Sequence, residues 1–289
     1  MTDTSTGIDR VGVVGAGLMG SGIAEVCARA DLDVLVVEDG VDAVRRGQDR
    51  ITRSLARAEE RGKIDSAERV LARIQVVSDL DALRDRDLVV EAILEDETAK
   101  VDLFRRLDKI VVGDTAILAS NTSSIPIMKL GVVTERPTQV MGIHFFNPVP
   151  VLKLVELVPS LLTSTDTTER ARRFVEGRLQ KQAIDCQDRA GFVVNALLVP
   201  FILSAIRMLE SGFATAEAID KGLVLGAAHP QGPLALADLI GLDTTEAIAN
   251  SLYEEFKEPL YAPPPLLSRM VEAGLLGRKV GRGFYDYTH

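Results

Sequence analysis

His144 is the residue of this chain whose type and setting best suit proton-transfer chemistry. It directly follows a short apolar run, and Glu156 lies inside the next apolar run along the chain. A histidine titrates near neutral pH and can take a proton from a hydroxyl group, while a carboxylate beside it can fix its tautomer. The same residues also fit a histidine satisfied in the core and a glutamate facing water on an edge strand. The turn at residues 147–150 is short enough to return the chain beside His144, so an acid–base pair fits the spacing, but the spacing alone does not decide between these interpretations of Glu156.

Other polar groups follow apolar runs in the same way. Strand-like runs at residues 74–77, 88–90, 117–119 and 140–143 are separated by helix-like segments, chiefly residues 97–112. This alternation predicts a parallel doubly wound sheet, whose ligands bind beyond the carboxyl ends of the strands. The polar residues that follow the runs are the candidates to line a site: Glu91, Ser120, Asn121, Thr122, Ser123, Ser124, His144 and Asn147.

A glycine-rich turn near the start of the chain predicts a dinucleotide site. An apolar run at residues 11–14 leads into Gly15, Gly17 and Gly20, and a helix-like segment follows. In this pattern the first glycine makes the turn, the second lets the backbone approach a pyrophosphate, and the third lets the helix pack on the strand. A second apolar run ends in Glu38, near the ~20-residue offset of a ribose-binding carboxylate. Together these features favour a nucleotide site over a purely structural turn.

Residues 41–61 form a long charged segment with helical spacing. Its arginines recur at steps of three and four, and therefore share one face of the predicted helix. They are Arg46, Arg50, Arg53, Arg57 and Arg61. The spacing alone favours a solvated helix face; the alternative is a surface that binds phosphates, with Ser54 in the same patch.

Composition narrows the class of protein. The chain has 289 residues and a net charge of −9, which argues against nucleic acid as a partner. Its two cysteines, Cys27 and Cys186, have no metal-ligand spacing, so we expect no metal. The polar start lacks the apolar core of a signal peptide, and the apolar run at residues 192–206 is shorter than the ~20 residues of a membrane span. We therefore expect a cytoplasmic protein without a membrane partner.

The helix and strand signals predict two domains. Strand-like runs at residues 153–158 and 182–184 complete the first, whereas only helical patterns follow residue 191. The predicted fold is therefore α/β, with a Rossmann-like doubly wound sheet domain at residues 1–187 and an all-helical C-terminal domain at residues 188–289. Apolar residues surround the segment at 192–206 on all sides, which a single small core does not require. We expect this helical domain to form a homodimer, although a helix enclosed by its own domain fits the pattern nearly as well.

Several segments together resemble the short-chain L-3-hydroxyacyl-CoA dehydrogenases, and most closely the bacterial 3-hydroxybutyryl-CoA dehydrogenases of the actinobacterial type. The segments are GAGLMGSGIAEV, LVVEAILED, ASNTSSIPI, GIHFFNPVPVLKLVEL, GFVVNALLVPF, GPLALADLIGLDT and GRKVGRGFYDY. They run in one order through nearly the whole chain. HFFNP and SNTSS are highly specific, whereas the glycine motif is shared with many dehydrogenases.

The resemblance implies a role for each matching residue. His144 is similar to the family's catalytic base, Glu156 to the acid that orients it, Ser123 to the serine that binds the substrate near its reacting oxygen, and Asn195 to the asparagine that positions the acyl group. The implied NAD contacts are Gly15, Gly17, Leu18, Met19, Gly20, Glu38, Glu95, Lys100, Ser123, Asn147 and Lys279. Ser54 and Arg61 match the family's coenzyme A contacts, which reverses the preference for a solvated arginine face.

The implied activity is reversible oxidation of an (S)-3-hydroxyacyl-CoA to a 3-oxoacyl-CoA with NAD, in fatty-acid or butanoate metabolism. Two positions depart from the family pattern, since Glu38 replaces a common aspartate and Arg61 a common lysine. Two other functions remain open: a dehydrogenase of a free hydroxy acid on the same scaffold, and a non-catalytic NAD-binding protein. The arginine face argues against the first, and the pair of His144 and Glu156 against the second.

Overall fold

The computed structural model of the protein describes residues 7–288. The chain forms two compact units, of which the first ends at Asp188 and the second begins at Arg189. The expected boundary at residues 187 and 188 lies one residue from this division.

The first unit is built on one eight-stranded sheet with the order β3-β2-β1-β4-β5-β6-β7-β8. The strands β1 to β8 are Arg10–Val14, Asp33–Val37, Ile74–Val77, Leu88–Glu91, Ile117–Ser120, Val140–Phe145, Leu154–Pro159 and Gln182–Asp185. Strands β1 to β6 are parallel to one another. β7 then runs antiparallel to β6, and β8 runs parallel to β7.

Helices cover the sheet and explain the apolar runs. The helices α1 to α6 of this unit are Leu18–Arg29, Val41–Glu60, Ala67–Leu71, Glu97–Ile110, Ile127–Gly131 and Thr165–Arg173. A π turn, Phe174–Arg178, extends α6. The inner strands β4, β5 and β6 are buried along their whole lengths. Parallel strands covered on both faces read as unbroken apolar stretches, which is why the sequence revealed them.

Helix α2 shows why the arginines share a face. Its buried residues Gly47, Ile51, Leu55 and Ala58 recur at helical spacing and pack toward the core. A helix that buries one stripe must present the opposite stripe to solvent. The arginines flank the buried stripe: Arg46, Arg53 and Arg57 are exposed, whereas Arg50 is half-buried.

The second unit is helical among its described residues. Its helices α7 to α11 are Val194–Glu210, Ala216–Ala227, Pro233–Ile240, Leu242–Phe256 and Pro265–Glu272, and a 3₁₀ turn, Arg278–Val280, follows. The Asp238 carboxylate of α9 accepts hydrogen bonds from the backbone N–H groups of Phe284 and Tyr285, and from the Tyr287 hydroxyl. These bonds attach the C-terminal segment to the helices. The predicted fold class, a Rossmann-like sheet unit followed by a helical unit, is confirmed.

Candidate active site

His144 and Glu156 form a buried pair inside the sheet of the first unit. They lie directly opposite each other in the antiparallel pairing of β6 with β7. His144 Nδ1 is 2.7 Å from Glu156 Oε2, and the two residues are 6% and 0% exposed. The Phe146 ring meets the imidazole edge to face at 4.7 Å. The interpretation of Glu156 as a water-facing edge residue is wrong, because β8 covers the outer side of β7.

This geometry decides which ring nitrogen can act as a base. A carboxylate only accepts hydrogen bonds, so Nδ1 of His144 carries the hydrogen that it donates to Glu156. In the neutral imidazole the basic lone pair then resides on Nε2. The arrangement can accept a proton at Nε2 and stabilise the imidazolium that results through the Glu156 charge.

The loop that follows β5 is held by one carboxylate. Glu95 Oε1 accepts hydrogen bonds from the backbone N–H groups of Ser123 and Ser124 at 3.0 and 3.1 Å. The same oxygen accepts from the hydroxyls of Thr122 and Ser124 at 2.5 and 2.8 Å. The Ser123 hydroxyl makes no hydrogen bond within residues 7–288. Its backbone is therefore fixed while its hydroxyl stays available to a ligand.

The same loop is joined to the strand that carries His144. Asn121 Oδ1 accepts a hydrogen bond of 2.8 Å from the backbone N–H of Phe145, the residue after His144. The backbone N–H of Asn121 in turn donates to the carbonyl of Glu91 at the end of β4. The structure thus brings the ends of β4, β5 and β6 together, as the sequence predicted.

The glycine turn has the shape that a dinucleotide requires. Gly15 has a φ of +101°, and a Cβ there would lie 2.5 Å from the Ala92 carbonyl oxygen. A Cβ on Gly20 would lie 1.8 Å from the Gly15 carbonyl oxygen, so α1 packs too closely for any side chain. A Cβ on Gly17 meets no described atom within 4 Å. The open side of the turn at Gly17 is where a pyrophosphate would approach the backbone.

The residues around this turn fit NAD. Helix α1 begins at Leu18 without a capping side chain, which leaves its first N–H groups for phosphate. Leu18 is 62% exposed and Met19 is half-buried at this end of the helix. Glu38 Oε2 accepts a hydrogen bond of 2.6 Å from the backbone N–H of Ala16. The carboxylate therefore lies against the turn, where it can accept from ribose hydroxyls.

Lys100 lies deeper than a direct NAD contact would suggest. It is 1% exposed, and its ammonium is 2.5 Å from Glu91 Oε1 and 3.1 Å from Glu95 Oε2. Glu95 is partly exposed. Direct contact of Lys100 with a dinucleotide stays a prediction, as it does for Glu95.

The structure gives the positions of three further expected site residues. Asn147 is exposed just after β6, and Asn195 is half-buried in the first turn of α7. Lys279 Nζ bonds both oxygens of Asp243 at 2.6 and 2.5 Å within the second unit. Their roles in binding remain predictions.

The outer face of α2 is basic, and one of its arginines reaches the glycine turn. Arg50 donates a hydrogen bond of 2.5 Å to the Ala16 carbonyl. Arg53, Arg57 and Arg61 are exposed, and Ser54 is half-buried beside them. This face offers several cations to an anionic ligand on a protein of net negative charge.

Residues 7–288 contain neither a membrane-spanning helix nor a cluster of metal ligands. No helix there combines the length and the apolarity that crossing a bilayer requires. The histidines, cysteines and carboxylates of the same range do not assemble into a group of three or more that could hold a metal ion.

Family models match both units. The model for "3-hydroxyacyl-CoA dehydrogenase, NAD binding domain" matches residues 10–189. The model for "3-hydroxyacyl-CoA dehydrogenase, C-terminal domain" matches residues 191–287. Together they span nearly the whole chain.

Similar proteins are known in several bacteria. The 3-hydroxybutyryl-CoA dehydrogenase of Mycobacterium tuberculosis H37Rv is 56% identical over 285 residues, which cover 98% of this chain and 100% of that protein. The crystal structure of M. tuberculosis FadB2 matches with a TM-score of 0.96 at 56% identity, covering 97% of this chain and 99% of the other. The structure of (S)-3-hydroxybutyryl-CoA dehydrogenase PaaH1 from Ralstonia eutropha matches with a TM-score of 0.91 at 45% identity, covering 98% and 100%.

Proposed function

Since this chain belongs to the 3-hydroxyacyl-CoA dehydrogenase family, with an NAD-binding domain at residues 10–189, we propose that it interconverts (S)-3-hydroxybutyryl-CoA and acetoacetyl-CoA. Two of the similar proteins are named for the 3-hydroxybutyryl substrate, and one of those names specifies the (S) form. The observation that carries the proposal is the hydrogen bond of 2.7 Å between His144 and Glu156. It creates a base of defined tautomer beside the loop that holds Ser123.

In this proposal His144 handles the proton of the substrate. Nε2 takes the proton of the C3 hydroxyl. Nδ1 keeps its hydrogen throughout and donates it in a hydrogen bond to Glu156. When bound, NAD supplies the acceptor for the hydride that leaves C3 as the C3–O bond becomes a carbonyl. In the reverse direction the imidazolium returns the proton to the oxygen. The buried carboxylate of Glu156 stabilises the imidazolium through a charge interaction that solvent screens poorly.

Ser123 and Asn195 complete the proposed set. The Ser123 hydroxyl donates to the reacting oxygen, since its backbone is held by Glu95 and its side chain bonds no described residue. Asn195 is assigned to the acyl thioester because of its place in the GFVVN motif. Neither residue needs to change its charge during the reaction.

The cofactor would be held by the glycine turn and Glu38. Gly17 and the first turn of α1 would hold the pyrophosphate, and Glu38 would accept from the adenosine ribose. A carboxylate there accepts from a 2′-hydroxyl and repels a 2′-phosphate, which favours NAD over NADP. Asn147 and Lys279 would make further contacts to the cofactor, as their positions in the matching motifs imply.

Coenzyme A would bind on the outer face of α2. Arg57 and Arg61 are exposed there and form no salt bridge within residues 7–288, and Ser54 lies beside them. Their charges suit the phosphates of coenzyme A on a protein whose net charge is −9.

We propose further that the helical unit forms a homodimer through α7. Leu197 is 74% exposed, and Val193 and Met208 are also large exposed apolar residues along this segment. Exposed apolar side chains at helical spacing are typical of a surface that a partner covers. A second copy of the chain is the partner that the family resemblance implies.

The proposal is tested by reducing acetoacetyl-CoA with NADH and following NADH loss. We expect turnover in the wild type, with longer 3-oxoacyl-CoAs used less well, and a loss of about 10²–10⁴ in kcat in His144→Ala. His229→Ala, which changes another histidine, is the matched control and should keep wild-type kcat. Absence of turnover in the wild type, or a near-normal kcat in His144→Ala, would contradict the proposal.

A further inference from the structure

A buried ion pair lies beneath the candidate site. Glu91, the last residue of β4, is 0% exposed, and Lys100, in the first turns of α4, is 1% exposed. The two charged groups are 2.5 Å apart. Removing two charges from water is costly and often adds nothing to stability relative to apolar residues. Stability alone therefore does not account for this ion pair, and the groups that the pair holds in place become the question.

Glu91 reaches the Ser123 loop by two routes. In the first, Lys100 bonds Glu91 with its ammonium and also lies 3.1 Å from Glu95 Oε2. The other oxygen of Glu95 accepts from the backbone N–H of Ser123 at 3.0 Å. The Glu91 carboxylate is thereby connected to the Ser123 backbone through the Lys100 ammonium and the Glu95 carboxylate.

The second route uses hydroxyl groups. Ser120 Oγ donates a hydrogen bond of 2.5 Å to Glu91 Oε2 and accepts one of 3.1 Å from the backbone N–H of Thr122. Glu91 Oε1 also accepts from the backbone N–H of Ile93 at 2.8 Å, at the start of the chain that leads to Glu95. Glu91 thus holds two segments that contact Ser123: the start of its own loop, through Ser120, and the segment that leads to Glu95, through Ile93.

The charge of Glu95 depends on the same lysine. Burial acts to raise the pKa of Glu95, but the Lys100 ammonium and the hydroxyls of Thr122 and Ser124 outweigh it and hold the pKa below its usual range. Glu95 therefore stays a carboxylate near neutral pH and keeps its four donors. Without Lys100, two carboxylates would face each other with no cation between them.

We propose that Glu91 and Lys100 are positioning residues that fix the backbone at Ser123, Lys100 through Glu95 and Glu91 through Ser120. This inference rests on the proposed role of Ser123 in the reaction. The ammonium faces two carboxylates inside the protein, which is the arrangement of a structural counter-ion.

The first experiment measures the loop without any reaction. Amide hydrogen exchange is followed across residues 120–125 in the wild type, in Glu91→Gln/Lys100→Met, and in Lys109→Met as the control on the same helix. The double variant removes both charges at once, because either single change would leave one charge buried and alone. We expect exchange at residues 120–125 to rise at least tenfold in the double variant, with the strands β1 and β2 unchanged. If that double variant fails to fold, Ser120→Ala cuts only the hydroxyl route and should raise exchange in the same segment.

Turnover supplies the second readout. We expect kcat for acetoacetyl-CoA to fall by about 10–100-fold in the double variant, since small displacements of a substrate-binding group are costly. Unchanged exchange at residues 120–125 overturns the inference. A wild type without turnover overturns the proposed function instead, and the exchange result still decides the inference.

Discussion

Replacing the carboxylate of Glu156 by an amide tests the electrostatic part of the mechanism in isolation. Glu156→Gln keeps the size of the side chain and an oxygen that can accept from Nδ1 of His144, but it removes the charge. Because an acceptor for Nδ1 remains, we expect the free energy of unfolding to fall by only about 1–2 kcal/mol, as for one weakened hydrogen bond. The missing charge should instead lower kcat, because the imidazolium that forms when His144 takes up a proton loses its counter-ion.

The size of that effect follows from the geometry. His144 Nδ1 and Glu156 Oε2 are 2.7 Å apart in a pair that is almost wholly buried. With charge centres about 4 Å apart and an effective dielectric constant of about 20, the interaction is about 4 kcal/mol. A transition state with the proton half to fully transferred would lose about 2–4 kcal/mol, which lowers kcat about 30- to 1,000-fold.

The assay is (S)-3-hydroxybutyryl-CoA oxidation with NAD across a range of pH. Because the imidazolium loses its counter-ion, the acidic limb of the profile should move to lower pH in Glu156→Gln. Glu176→Gln removes an exposed carboxylate from the same unit and serves as the control. A kcat within about threefold of the wild type, with an unmoved acidic limb, would refute the reasoning.

Four other predictions follow from the same structure. Arg57→Glu with Arg61→Glu should raise KM for the CoA thioester about tenfold or more at low salt, with less effect at high salt and none on the Kd of NADH; an unchanged KM would return this face to solvent. Glu38→Ala should lower the ratio of kcat/KM for NADH to that for NADPH, and a wild type that prefers NADPH would contradict our interpretation of this carboxylate. Burial raises the pKa of the Cys27 thiol to about 12, so it should react with thiol reagents about 10³-fold more slowly than a free cysteine until the protein is unfolded; rapid native labelling of this thiol would be the opposite result. Light scattering at micromolar concentration should give the mass of two chains for the wild type and of one folded chain for Leu197→Glu, whereas a wild-type monomer would exclude the dimer.

The strands were predictable because the sheet is covered on both faces. Each inner strand is a continuous apolar run, and the polar residue at its carboxyl end marks the ligand side. Short elements gave no such signal. Helices α3 and α5 have five residues each, too few for a helical period to appear in the sequence. The helical pattern after Pro233 forms two helices, α9 and α10, which Gly241 divides with a φ of +102°.

The chemistry-bearing residues were easier to predict than the residues that hold them. His144 and Glu156 stood out because a histidine and a carboxylate are rare within apolar runs. Lys100 lies on a helix with charged neighbours, and the charge pattern of the sequence does not predict that it is buried while Lys109 on the same helix is exposed. Burial of a lysine depends on a carboxylate supplied by another strand, here Glu91, which only the folded chain brings near.

The reversal of β7 explains why the acid–base pair forms at all. In a parallel sheet a residue and its neighbour on the next strand are separated by a long crossover, whereas an antiparallel return needs only a short connection. Directly opposite residues of an antiparallel pair have Cβ atoms about 4.5–5.5 Å apart on the same face, which suits a histidine and a glutamate that share a hydrogen bond. β8 then pairs with the far side of β7, with Ile184 beside Glu156, and excludes water from the carboxylate. The last two strands of the sheet therefore do what the six parallel strands cannot: one orients the base, and the other keeps the charge of its partner unscreened.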